Sequence, residues 1–395
     1  MPGPLDGFRI VDLTGMIAGP LATMLLADQG ADVIKVEEPA RGDHTRAAGN
    51  RSGGLSASFL NNNRNKRSIA IDLKPARGRA LFLRLVAEAD AVVQNFRPGV
   101  VERLGIGYDD VVEVAPDIVY VSMSGFGERG PWAAKPVYDP IVQAASGLAS
   151  VQGGSDRNRP RLVRTIVPDK VTALTSAQAI TAALLARERT GQGQHVRLSM
   201  LDSVLQFLWS SDMGGQTFVG KEVSEQRAAS YIDLIYETRD GYMSVSIMTD
   251  AQWAALCRAV GRPEWLADER FATPELRDLN IDSRLELTQS VLATATTQHW
   301  LDLLEAEGVP CAPVLTRKQL VHHPQVTAGE SVLESEHPVA GRLRHARHAA
   351  RFEVTPAEIR SGAPLLGQHT DEVLAEIGLD ATEIRSLRAV GVIAG

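Results

Sequence analysis

From residue 8 to residue 124 the chain alternates short apolar runs with stretches of helical pattern, and no other feature constrains its fold as strongly. Residues 8–14 form an apolar run that closes at Gly15, residues 20–29 read as a helix, and residues 31–37 form a second apolar run. That is a βαβ unit. The pattern recurs in runs at 68–74, 91–96, 118–124 and 195–201, with helical stretches at 78–88 and again through Arg103. Short runs separated by crossover-length helical segments predict an α/β fold on a parallel sheet. In such sheets ligands bind at the carboxyl ends of the strands, which brings Lys74, Asn95, Phe96 and Arg103 into the expected cleft.

The 395 residues, 44% hydrophobic and 23% charged, suffice for two packed domains of a soluble globular protein. A net charge of −7 argues against nucleic acid or an anionic membrane surface as main partner, while leaving room for a local basic cleft. Cys257 and Cys311 have neither metal-ligand spacing nor a paired framework, so a reducing cytoplasm is expected, with both as small buried residues. The N-terminus lacks a basic start and an apolar signal core, and no run approaches the roughly 18 apolar residues of a membrane span. An exported or inserted protein is therefore not expected. His322 with His323, and His345 with His348, lack a third ligand in recognisable spacing; exposed histidines and no metal are expected.

Asp169 stands where an Ala-rich segment of strong helix propensity begins, directly after Ile166, Val167 and Pro168. Two readings fit it. An Asp at a helix start caps backbone N–H groups and meets the positive end of the helix dipole. A carboxylate fixed there beside apolar residues is equally a positioned nucleophile for an activated acyl group. Two glycine patterns imitate dinucleotide sites. Gly15 and Gly19, with Glu37 about 20 residues on, have the wrong spacing for G-x-G-x-x-G. Gly125 to Gly130 has the right spacing, but Pro131 and Pro136 follow where a long helix should open. A glycine loop that brings backbone close to a ligand or turn is expected there instead.

Further on, residues 202–209 read as helix, and the Gly-, Ser- and Gln-bearing stretch 214–230 reads as a linker. A hairpin is expected around Asp240 and Gly241, with helices from 252 to 304. The tail ends in two amphipathic helices, the second running through Arg388.

Together these stretches resemble the family III CoA-transferases of CaiB/BaiF type, which include formyl-CoA and carnitine CoA-transferases and the α-methylacyl-CoA racemases. The motifs that carry the resemblance are Val11-Asp-Leu-Thr with Ala18-Gly-Pro, Gly30-Ala-Asp-Val-Ile-Lys-Val-Glu, Asn65-Lys-Arg-Ser-Ile with Asp72-Leu-Lys, and Asn95-Phe-Arg-Pro-Gly. Ser124-Gly-Phe-Gly, Thr190-Gly-Gln-Gly-Gln and Gly362-Ala-Pro-Leu-Leu-Gly-Gln-His-Thr complete the series. The resemblance implies a Rossmann-like large domain, a smaller α+β domain, and a homodimer of interlocked subunits. On this chain it divides as residues 1–200 for the first part of the large domain, 201–224 as linker, 225–325 as the small domain, and 326–395 as the return to the large domain.

Asp169 matches the family's catalytic aspartate. Ile71, Lys74, Asn95, Phe96, Arg103 and Leu104 match CoA contacts in the formyl-CoA enzymes. Ile17, Gly125, Gly127 and Tyr138 fall in the implied substrate pocket, where the 124–130 loop is an oxyanion or lid element. CoA and acyl-CoA are implied as substrates, with a carboxylic acid as acceptor and no permanently bound cofactor. The implied mechanism is CoA transfer through covalent aspartyl intermediates.

The racemases carry a His before the Asp that is Asp139 here, and a Glu where this chain has Thr249. Tyr138 replaces that His, so two-base proton exchange loses a partner and transfer is the expected chemistry. Ile17 and Glu38 stand where the formyl-CoA enzymes have Gln and Arg, and residues 246–250 replace a glycine run. With Met248, Ile17 implies a larger or less polar acyl group than formyl or oxalyl. A CoA-binding protein without turnover and an NAD-dependent dehydrogenase are the readings from other classes.

Overall fold

The computed structural model describes residues 2–395. The chain divides into two compact units, one of residues 1–229 and 330–395, the other Ser230–Gly329.

The larger unit is built on a seven-stranded sheet. Across it the strands run Ile393–Ala394, Lys66–Ile71, Asp32–Glu37, Arg9–Asp12, Ala91–Gln94, Val119–Ser124 and Gln194–Ser199. All neighbours are parallel except Ile393–Ala394, which is antiparallel to Lys66–Ile71. Chain order thus reverses between Arg9–Asp12 and Ala91–Gln94, and the crevice of the sheet opens at their carboxyl ends.

Both faces of the sheet are covered, which is why its strands read as nearly continuous apolar runs. Val11, Ile34, Ile69, Val92 and Tyr120 pack on one side with residues of the helices Ala76–Val86, Thr370–Glu376 and Ala381–Ala389. Ile10, Val33, Ala91, Val93, Val119 and Val121 pack on the other with the helices Ala18–Asp28 and Val167–Thr190. Adjacent residues therefore feed two cores, as the strand pleat dictates.

Several expectations change. Residues 41–66, a polar, Gly- and Asn-rich stretch, contain the helix Ala57–Asn63 and lead into the strand Lys66–Ile71. The polar residues there have buried partners: Arg46 pairs with Glu37, and Arg64 with Asp28. A hairpin of Val332–His337 and Gly341–Ala346 precedes the C-terminal helices. His345 lies on it and is buried rather than exposed, bonded to Ser335 Oγ at 2.9 Å. Cys257 is buried as expected, but Cys311 is only half-buried.

In the smaller unit Ile235–Glu237 and Tyr242–Val245 form the hairpin around Asp240 and Gly241, and Cys311–Pro313 adds a third antiparallel strand. Trp253, Trp265, Phe271 and Trp300 dominate its core. Thr249 caps the helix Asp250–Ala259 reciprocally with Gln252.

Candidate active site

A cavity of about 1150 Å³ opens at the reversal point of the large sheet. Its floor comes from the ends of the first strands, with Leu13, Thr14, Gly15, Lys35 and Glu37, and from Asn95 and Phe96 after the fourth run. The loop after Val119–Ser124 contributes Ser124 and Gly125, and the start of the Val167–Thr190 helix contributes Asp169.

Of the residues singled out from sequence, Ile17, Asn95, Phe96, Arg103, Gly125, Tyr138 and Asp169 line this one cavity. Ile71, Lys74, Leu104 and Gly127 do not. Ile71 is buried in the sheet core, and Leu104 packs partly buried against that core. Lys74 is exposed beyond the strand end, where its N–H donates to Asp72 Oδ1 at 3.0 Å. Gly127 turns the loop with φ +85° and donates its N–H to Ser124 Oγ at 3.0 Å. No long helix follows Gly130; the next begins at Asp139. A dinucleotide phosphate thus finds no helix N-terminus at this loop.

Asp169 lies in the first turn of its helix but is not its N-cap; that position is Ile166, whose side chain cannot cap. The capping function read for Asp169 falls to Asp139. Asp139 Oδ2 accepts the backbone N–H of Asp169 at 3.3 Å, while Oδ1 accepts from Gln143 Nε2 at 2.6 Å. Gln143 in turn accepts the Val163 N–H at 2.9 Å, so two side chains one helical turn apart pin the segment leading into Asp169. The sequence carried that signal, an Asp and a Gln at i and i+4 on a short helix, but not its target 20 residues ahead.

The Asp169 carboxyl is pushed up to about 6. Burial is the main cause and the nearby Asp139 charge the second; the Ala18 backbone N–H, at the start of the Ala18–Asp28 helix, opposes both by favouring the ionised form. This side chain is thus a carboxylate near neutral pH, stripped of much of its water. Sequence reasoning also passed over His44 and Arg164, which line the cavity. Neither sits in a motif; the fold brings them to the cavity that Asp169 lines.

The model of CoA-transferase family III matches residues 5–370. The chain belongs to that family. An acyl-CoA transferase of Fusarium pseudograminearum is 37% identical, over 99% of this chain and 88% of its own. The succinyl-CoA:glutarate CoA-transferase of Mus musculus is 35% identical, over 99% of this chain and 90% of its own. Among solved structures, a CAIB/BAIF family protein from Brucella suis superposes with a TM-score of 0.84 at 32% identity, covering 95% of this chain and all of that one. The chain is a family III CoA-transferase, and CoA thioesters are the substrates of such enzymes.

Proposed function

We propose that Asp169 is the nucleophile of a CoA transfer from an acyl-CoA to a carboxylic acid, within a Rossmann-like large domain of an interlocked homodimer. What carries the reading is a single observation: a carboxyl raised to about 6 by burial and Asp139 stands in the cavity at the sheet's reversal point. Above that pH it is ionised, and its poor hydration favours attack. The strand order of the sheet, with its reversal between Arg9–Asp12 and Ala91–Gln94, supports the Rossmann-like description.

An Asp169 oxygen attacks the donor thioester carbonyl; the C–S bond breaks and CoA leaves as thiolate, giving an acyl-aspartyl anhydride. The thiolate then attacks the Asp169 carbonyl carbon, the anhydride C–O bond breaks, and the donor acid departs as carboxylate. The acceptor carboxylate reverses both steps on the resulting aspartyl-CoA thioester. No net proton is exchanged, so positioning and exclusion of water set the barrier. Asn95, Phe96 and Arg103 are the CoA contacts of this reading that line the cavity; Lys74 and Leu104 would meet the part of CoA beyond it, whereas Ile71 is enclosed in the sheet core and offers CoA no surface.

For the acceptor, Ile17, Val137 and Ile166 give the cavity an apolar wall while Lys135 and Arg164 give it cationic groups. That combination suits an aliphatic acid with a second carboxylate, in keeping with the mouse relative named for glutarate.

Asp169→Asn is the deciding variant. It should fold and bind CoA yet lose nearly all transfer, because an amide cannot form the anhydride. With a donor acyl-CoA and hydroxylamine, the wild-type peptide bearing Asp169 should gain a trapped derivative seen by mass spectrometry, and the variant none. A fully active Asn variant refutes the assignment.

A further inference from the structure

The turn joining the first strand to the Ala18–Asp28 helix is gripped by buried side chains. Asp12 Oδ1 accepts the Thr14 N–H at 2.8 Å, and Lys35 Nζ donates to the Thr14 carbonyl at 2.6 Å. Asn95 takes both backbone groups of the next residue: its Oδ1 accepts the Gly15 N–H at 3.0 Å and its Nδ2 donates to the Gly15 carbonyl at 2.8 Å. Asp43 Oδ1 accepts the Met16 N–H at 3.4 Å. Met16 itself has φ +69°, a left-handed conformation that a side chain disfavours and that neighbours must hold in place.

Lys35 and Asp43 form the centre of this grip. They pair at 3.0 Å with side chains 0% and 1% exposed. Asp43 is tied from behind, accepting from Thr45 N at 2.8 Å and Thr45 Oγ1 at 2.7 Å, while its own N–H donates to Glu37 Oε2 at 3.0 Å. Glu37 is held by the Arg46 guanidinium, so the clamp is anchored in the second strand.

The helix start is locked to the same turn, since a Cβ on Gly19 would lie 2.3 Å from Thr14 Cβ. The turn therefore sets where the Ala18 amide points.

We propose that Asp43 and Lys35 are positioning residues of the transfer reaction: by fixing Met16 in its left-handed turn they hold the Ala18 amide against the Asp169 carboxylate. Neither residue needs to touch substrate. The Ala18 N–H favours ionised Asp169 against burial and Asp139, so a loosened turn leaves the nucleophile harder to ionise. Simple electrostatics runs the other way. Deleting the Asp43 charge while Lys35 stays positive would make Asp169 easier to ionise, and the sign of the effect separates the two accounts. The other charged side chains lining this cavity are Asp139, on the helix that packs beside Asp169, and Glu37, Glu38, Arg97, Arg103, Lys135 and Arg164, with His44 as a further titratable group.

The inference rests on Asp169 as nucleophile, and the test keeps the two apart. kcat/KM is measured against pH for wild type, Asp43→Asn and Thr45→Val, whose hydroxyl donates to Asp43 Oδ1 at 2.7 Å, with CoA affinity and melting temperature alongside. Both variants are expected to move the acid limb up by about one pH unit, with roughly tenfold less activity near pH 6 and recovery toward the wild-type plateau at alkaline pH. Loss of folded protein alone would lower the whole curve without moving the limb. A limb that stays put or moves down, with Asp169→Asn inactive, overturns the clamp and leaves the nucleophile standing. An active Asp169→Asn overturns both. If Asp43→Asn does not fold, Thr45→Val, which removes the hydroxyl that orients Asp43 and strands no buried charge, decides on the same limb.

Discussion

Asp169 illustrates how one side chain acquires its chemistry from where the fold puts it. Its carboxyl stands at about 6, so transfer by wild type is expected to fall on the acid side of that value and level off above it, as a pH profile of kcat/KM reports. The same shift bears on stability, and its sign follows from linkage. A carboxyl whose folded value lies above its unfolded value favours the folded state when protonated; that contribution is whole below about pH 4 and is lost as pH rises through about 6. Asp169→Asn, which cannot ionise, should therefore be more stable than wild type at pH 7.5, by at most roughly 2–3 kcal/mol, and indistinguishable at pH 4. Paired denaturant melts at the two pH values check this, independently of any activity. A second expectation concerns Arg164, which faces the cavity. Arg164→Leu should raise KM for dicarboxylic acceptors about tenfold while leaving monocarboxylic acceptors nearly unchanged. Equal effects on both classes would remove Arg164 from acceptor recognition.

At the scale of elements, the central sheet was legible because parallel strands buried on both faces leave apolar runs that need no partner to be read. The site was legible where a strand end coincided with it: Asn95 and Phe96 follow directly on Ala91–Gln94. What lay hidden was the polar layer beneath. Residues 41–66 look like solvent-facing loop, yet they supply Asp43, Arg46, Arg64 and Lys66 to buried ion pairs with partners on other elements. A sequence shows charge but not the charge that will answer it across the fold. Likewise Asp139, noticed only as the neighbour of Tyr138, caps a helix that begins 28 residues later. Lys66 shows what such pairs cost when broken. It is fully enclosed and donates to Asp12 Oδ2 at 3.0 Å, Asn63 Oδ1 at 2.8 Å and the Pro20 carbonyl at 2.9 Å. Burial pulls it down to about 8, while Asp12 holds it up. Lys66→Met should destabilise the chain by about 3–5 kcal/mol in a urea melt, since it strands Asp12 inside the sheet. A loss under 1 kcal/mol would mean that Lys35 alone satisfies Asp12.

For the whole molecule, the proposed homodimer needs an apolar surface for a second copy to cover. Leu174 and Leu185 on the Val167–Thr190 helix are 60% and 50% exposed, and Phe207 and Trp209 on the Met200–Trp209 helix are both 51% exposed. Phe218 and Val219 follow, more exposed still. Single exposed apolar residues are ordinary, while a run of large ones along consecutive segments is the kind of patch an interface would cover. The helix that bears Leu174 and Leu185 also carries Asp169 in its first turn, so a partner seated there would lie on the same element as the proposed nucleophile. Obligate homodimers are covered in this way, and their stability cannot be separated from protomer concentration. Sedimentation at falling protein concentration should therefore show dimer with no stable folded monomer, and the melting temperature should rise with concentration. Phe207→Glu combined with Trp209→Glu places two charges on the apolar segment while touching little of the sheet core, because both side chains are already half in water. That variant should sediment as monomer or aggregate and lose transfer along with the dimer. If it remained a folded, fully active monomer, these helices would be ordinary surface and the interlocked arrangement would have to be abandoned.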